Sequence, residues 1–219
     1  MFRLYGFAVS NYYNVVKTAM LEKGLEFEEV LVYPSDDPGY LEKSPMGKVP
    51  CLETEEGVVS ESQVMLDYLE DIRPEPRLYP VEAFPRAKVR ELLRVIELYL
   101  ELPARRLYPE AFFGGRISDQ TRAEVRPALE KGTAALRRLA RFEPFLAGRD
   151  FTCADIGAAI HLPLAGDAAR RIYGGSPLDD LGELAPYLKR VRERPSFQRT
   201  LDDSRQALEA YLKSRGVGD

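Results

Sequence analysis

Three prolines between positions 74 and 80, in Ile72-Arg73-Pro74-Glu75-Pro76-Arg77-Leu78-Tyr79-Pro80, divide the chain into two stretches of different periodicity. Proline fixes φ and removes a backbone donor, so such a cluster interrupts regular structure and acts as a stiff connector. The fold has to be built from the parts on either side.

Before the prolines, strands and helices alternate. Phe2 to Gly6 and Phe27 to Val32 read as strands. Between them Val16, Ala19, Met20 and Lys23 share one face of a helix over Tyr12 to Lys23, and Gly24 offers its C-terminal cap. Lys48 to Leu52 reads as a short third strand, and the Glu55-Glu56-Gly57 turn leads to a fourth at Val58-Val59. Met65, Tyr68, Leu69 and Ile72 then mark a helix face. A strand-helix-strand unit implies a parallel pair and the tight turn an antiparallel one, so a small mixed sheet is expected.

After the prolines only helical periodicity appears. Val89, Leu92, Leu93, Ile96 and Leu100 give one amphipathic helix, and Val125, Leu129, Leu136 and Leu139 a second. Thr152 to about Ala169 gives a third, bent at Pro163. Leu184, Tyr187, Leu188 and Val191 give a fourth, and Phe197 to about Ser214 a last. The expected bounds are an α/β domain over 1–76, a linker over 77–83 and an all-helical domain over 84–219.

The formal net charge of -4 argues against a nucleic-acid partner. No apolar run reaches the ~18 residues that would span a membrane. The first residues lack the blocks of a signal peptide, so the chain reads as cytoplasmic. The lone histidine, His161, sits in the apolar stretch Ile160-His161-Leu162 and reads as packed. Cys51 and Cys153 form no CxxC and no ligand cluster, so no metal is expected.

Two segments carry chemistry. In Met46-Gly47-Lys48-Val49-Pro50-Cys51-Leu52 a proline lies within a strand-like run, where it cannot donate to a ladder. With a cis Val49–Pro50 bond the chain turns sharply, and the Val49 N–H and C=O face outward, free to pair with an extended peptide. The alternative is a plain start to a strand. Next comes Ser60-Glu61-Ser62-Gln63, in which Ser60 and Gln63 read as a capping box. A helix N-terminus there suits a carboxylate and Glu61 an ammonium, which together fit an α-amino acid head group.

With Gly-Lys-Val-Pro-x-Leu followed by Glu-Ser at a helix start, the chain resembles the glutathione transferase superfamily, in particular its bacterial, serine-type cytosolic members. Leu4-Tyr5-Gly6, Leu21-Glu22-Lys23-Gly24-Leu25, Phe151-Thr152-Cys153-Ala154-Asp155-Ile156 and Glu193-Arg194-Pro195-Ser196-Phe197 extend the likeness over nearly the whole length. The resemblance implies a thioredoxin-like N-terminal domain with an all-α C-terminal domain, glutathione as co-substrate, and a homodimer. It places Val49, next to Pro50, on the cysteinyl backbone of glutathione, Glu61 and Ser62 on the γ-glutamyl end, and Lys48 at the glycyl end. The acidic opening Ser35-Asp36-Asp37-Pro38-Gly39-Tyr40, with only Lys43 after it, departs from the basic loop common in the family.

The expected reaction needs a thiolate. A hydroxyl donating to the sulfur near a helix N-terminus favours the charged form. In Ser10-Asn11-Tyr12-Tyr13-Asn14, Ser10 resembles the serine of the serine-type classes; its other reading is a helix cap. Tyr12 and Tyr13 are alternatives, and Tyr5 a further one. No cysteine stands in this segment, against a glutaredoxin-like exchange. Tyr12, Tyr108, Phe112 and Phe113 are the candidates to line the pocket of a small hydrophobic electrophile, with Tyr99, Arg105 and Arg106 behind them. The expected activity is detoxifying conjugation. A non-catalytic binding or regulatory protein of the same fold, or a glutathione-dependent isomerase, dehalogenase or peroxidase, is the alternative.

Overall fold

A computed structural model describes residues 1–214. The chain forms two compact units, one of Met1–Leu78 together with the chain from Glu193 on, the other of Tyr79–Arg192.

In the first unit β1 (Phe2–Gly6) is central. It pairs in parallel with β2 (Phe27–Leu31) and antiparallel with β3 (Cys51–Glu53), which pairs antiparallel with β4 (Val58–Ser60). The order β2-β1-β3-β4 is the mixed thioredoxin-like sheet expected. Between β1 and β2 runs α1 (Asn11–Glu22), whose Val15, Val16, Ala19 and Met20 are buried. Its end is a Schellman turn: Gly24 at φ +61° donates to Leu21 C=O and Leu25 N–H to Met20 C=O. A short α2 (Pro38–Leu41) was not anticipated; Asp37 caps it by accepting from the N–H groups of Gly39 and Tyr40. The third strand starts at Cys51 rather than Lys48, because Pro50 follows a cis bond and stays off the ladder. α3 (Ser62–Ile72) closes the layer over Met65, Leu66 and Leu69.

The proline segment is tied to this unit by a buried pair. Lys23 Nζ lies 2.6 Å from Glu70 and also donates to the carbonyls of Arg73 and Pro76, while Glu70 accepts from Leu78 N–H.

The second unit is helical throughout its described elements. α4 (Ala83–Ile96) runs through a π-turn, Glu97–Glu101, into α5 (Leu102–Arg105). Pro103 has no N–H to offer Tyr99, and the ladder loosens in the turn before it. α6 (Tyr108–Phe113) ends at Gly114, φ +69°. α7 (Asp119–Leu139) starts at a Ser118 cap and passes so close to the π-turn that a Cβ on Gly132 would lie 2.2 Å from Tyr99 O. α8 (Cys153–Tyr173) is the core helix, buried on all sides from Cys153 to Leu162. Asp155 accepts from Thr152 N–H and Oγ, from Leu146 N–H and from the Tyr187 hydroxyl, which fixes the helix start, the preceding turn and α9 (Leu184–Arg192) together. Thr152 and Asp155 thus form the expected capping box.

The last helix, α10 (Pro195–Ser214), packs against α1 in the first unit. Thr18 and Thr200 meet at 3.1 Å, Arg194 binds Glu22 in a two-pronged pair at 2.7 and 2.8 Å, and Phe197 is fully buried. No described helix is long and apolar enough to cross a membrane.

Candidate functional site

The Gly47–Pro50 segment is held from behind. The hydroxyls of Tyr40 (2.8 Å) and Ser44 (2.7 Å) both donate to Lys48 C=O, and Lys48 N–H returns a bond to Ser44 Oγ at 3.2 Å. Burial pushes the Tyr40 hydroxyl's pKa up, so it stays a donor. Ser35 N–H binds Gly47 C=O, and Gly47 at φ +61° passes so near that a Cβ would sit 2.5 Å from Ser35 O. With both faces of the Lys48 carbonyl occupied, the next peptide is fixed. Val49 precedes a cis bond to Pro50, and neither its N–H nor its C=O bonds to another described residue. The backbone pair is half-buried and unsatisfied, a short edge for an extended peptide.

The pairing of Cys51 with Ser60 brings the start of α3 beside Pro50. The expected Ser60–Gln63 capping box does not form: Ser60 ends β4, Glu61 is the N-cap residue, and no side chain caps the helix. The first intrahelical bond is Met65 N–H to Glu61 C=O, which leaves the N–H groups of Ser62, Gln63 and Val64 ahead of it. Ser62 is 5% exposed and its hydroxyl has no partner among the described residues. Glu61 itself lies at φ +68°, ψ +114°, a backbone region that costs a glutamate on the order of 1–3 kcal/mol and is retained where the surroundings impose it. Together these make a small anion seat with a carboxylate at its rim.

Ser10 is the N-cap residue of α1. Its Oγ accepts from Tyr13 N–H at 3.4 Å, a long bond, and its own proton has no acceptor among the described residues. The cap reading and the donor reading therefore coexist. Asn14 ties down the loop in front of it by donating to Ala8 C=O at 2.8 Å. Tyr13 is buried, and its hydroxyl donates to Glu29 at 2.6 Å; burial first and Glu29 second push its pKa up. Tyr5 donates to Glu53 at 2.6 Å. Tyr12 is partly exposed on the first turn of α1. Cys51 is buried and its thiol pKa is raised by that burial, unsuited to a nucleophile.

In the second unit Tyr108 and Phe112 meet edge-on at 5.1 Å, Arg171 lies over the Phe112 ring, and Phe113 is 75% exposed. Arg105 and Arg106 are paired with Glu101 and Glu124. His161 is buried in α8, and desolvation lowers its pKa to about 4. Among the described residues no cluster of His, Cys, Asp and Glu is set to hold a metal ion.

Tyr40, Ser44 and Asn14 were not singled out in the sequence. Ser44 stands four residues before Lys48, a spacing that is only informative once α2 is known to turn the chain back on itself.

The family described as glutathione S-transferase, N-terminal domain, matches residues 4–77. A glutathione S-transferase of Pseudomonas putida is 43% identical over 213 residues, covering 97% of each chain. The crystal structure of a glutathione S-transferase from Rhodospirillum rubrum superposes with a TM-score of 0.74 at 29% identity, covering 92% of both chains. A stringent starvation protein A homolog of Pasteurella multocida is 28% identical, over 87% of this chain and 85% of its own. The unpaired Val49 backbone, the open start of α3, the sheet order and this full-length identity agree: the chain belongs to the glutathione S-transferase family.

Proposed function

We propose that the protein is a glutathione transferase that ionises the thiol of glutathione on Ser10 and directs it at small hydrophobic electrophiles. The observation that carries the reading is the unsatisfied N–H and C=O of Val49 one strand pairing away from the uncapped start of α3. In this reading the cysteinyl residue of glutathione pairs with Val49. The γ-glutamyl carboxylate takes the N–H groups and hydroxyl at Ser62, Glu61 takes its ammonium, and Lys48 meets the glycyl end.

A free thiol has a pKa of about 8.5, so little of it is ionised at neutral pH. The unused proton of Ser10, beside the first turn of α1, supplies one donor to the sulfur, and the helix dipole adds to it. Ser10 is preferred over Tyr13 because the Tyr13 hydroxyl is committed to Glu29. Tyr12 takes the role if Ser10 does not. Tyr108, Phe112 and Phe113 are proposed to receive the electrophile. A cytoplasmic homodimer acting in detoxification completes the proposal.

Calorimetric titration with glutathione, with the thiolate absorbance followed against pH in the same sample, tests it. Binding with a lowered thiol pKa supports the transferase reading. Absence of binding at millimolar glutathione sinks it in favour of a non-catalytic protein of this fold.

A further inference from the structure

In the reading above, a peptide paired with Val49 has its amino end at the Glu61–Ser62 seat, which the pairing of Cys51 with Ser60 brings beside Pro50 and Val49. A peptide with its amino end in that seat runs antiparallel to the chain, and its carboxyl end leaves on the side of Lys48 and Gly47. What surrounds that end is the Ser35–Asp37 turn, bound to Gly47 through Ser35 N–H.

The charges there are not those a carboxylate calls for. Lys48 is exposed and its ammonium has no partner among the described residues. Lys43, the other nearby cation in sequence, is held by Glu53 at 2.5 Å and lies over the Tyr5 ring. Asp36 is exposed, makes no hydrogen bond or ion pair to a described residue, and its Oδ1 lies 3.4 Å from where a Cβ on Gly47 would be. Asp37 adds a second carboxylate while capping α2. In this stretch Lys48 is thus the one cation without a partner among the described residues, beside the carboxylates of Asp36 and Asp37.

Resting on the reading above, we infer that this site favours γ-glutamyl-cysteinyl peptides whose C-terminal carboxylate is masked as an amide carrying a positive charge, over glutathione itself. A free glycyl carboxylate gains Lys48 but meets Asp36 and Asp37. A cationic amide reverses both signs, leaves the γ-glutamyl and cysteinyl contacts unchanged, and turns Asp36 from a repelling into an attracting group. Asp36 is therefore a specificity-determining residue.

The test is a calorimetric comparison of glutathione with glutathione amidated at its glycine by a diamine, on the wild type and on Asp36→Asn, which removes a charge that supports no other contact. Exposed charge pairs set the scale: the cationic amide should bind at least about threefold more tightly than glutathione at low salt, and Asp36→Asn should shrink that ratio. A ratio below about threefold, or one that Asp36→Asn leaves unchanged, overturns the inference while the transferase reading stands. If neither ligand binds at millimolar concentration, the transferase reading itself fails.

Discussion

The ammonium of Lys17 lies 2.7 Å from the carboxylate of Asp203, 186 residues further along the chain. Lys17 is 1% exposed; Glu29 closes on it from β2 at 2.6 Å and also receives the Tyr13 hydroxyl. Arg199 stands 3.9 Å from both carboxylates. One buried lysine thus joins α1, β2 and α10. Both carboxylates are about one-third exposed, so each pair is worth less than a fully buried one. Asp203→Asn should cost about 1 kcal/mol. Lys17→Met, which leaves Glu29 and Asp203 only the more distant and exposed Arg199, should cost about 1–3 kcal/mol. Urea unfolding midpoints of the two variants measure both values.

Ser10→Ala removes the donor proposed for the sulfur. Turnover should fall by roughly 10²-fold or more, with glutathione affinity nearly kept. The 3.4 Å cap bond to Tyr13 N–H is weak, so the loss of stability should stay near or below about 1 kcal/mol. Ser62→Ala should do the opposite, weakening glutathione binding and sparing turnover at saturation. Steady-state kinetics with a chromogenic electrophile separate the two, and an unchanged rate for Ser10→Ala would pass the role to Tyr12.

Tyr40→Phe deletes one of the two donors to Lys48 C=O while Ser44 keeps the other. Loosening the peptide before Val49 should raise KM for glutathione by roughly fivefold, the scale of one net hydrogen bond, and leave kcat almost unchanged. Equal losses in both parameters would mean that Tyr40 acts on the chemistry instead.

Stability should fall on mild acidification because of His161. Burial is the main cause of its lowered pKa; Glu101 opposes the shift and Arg105 adds to it. The folded protein holds the ring neutral down to about pH 4, while the unfolded chain protonates it near pH 6.5. Between those values the unfolded state binds more protons, so the contribution is complete above pH 6.5 and is lost as pH falls to about 4. It amounts to about 3 kcal/mol at most. His161→Gln should flatten that part of the stability–pH curve.

The strands, the long helices and the cis Val49–Pro50 turn were legible in the sequence because periodicity and proline placement are local. The same holds for the Thr152–Asp155 box, whose two partners are three residues apart. What escaped depends on contacts between distant positions or on backbone angles. Nothing local in the sequence says that Lys17, Glu29 and Asp203 share one site around a buried ammonium. Ser60 and Gln63 have the spacing of a capping box, but β4 extends through Ser60 and moves the helix start on by one residue. The left-handed backbone of Glu61 leaves no trace in composition, since glutamate is not a residue chosen for that conformation. α2 was missed because four residues show no period, although Asp37-Pro38 is a proper cap followed by proline.

The return of α10 to the first unit makes that unit discontinuous: its beginning and its end bracket the whole of the second. On a ribosome the sheet therefore emerges early but waits until Tyr79–Arg192 has been made before Thr18, Lys17 and Glu22 meet Thr200, Asp203 and Arg194. A fragment ending after the proline segment keeps all four strands but leaves α1 without the helix that covers it, so a chain broken anywhere before Pro195 is unfinished at its beginning as well.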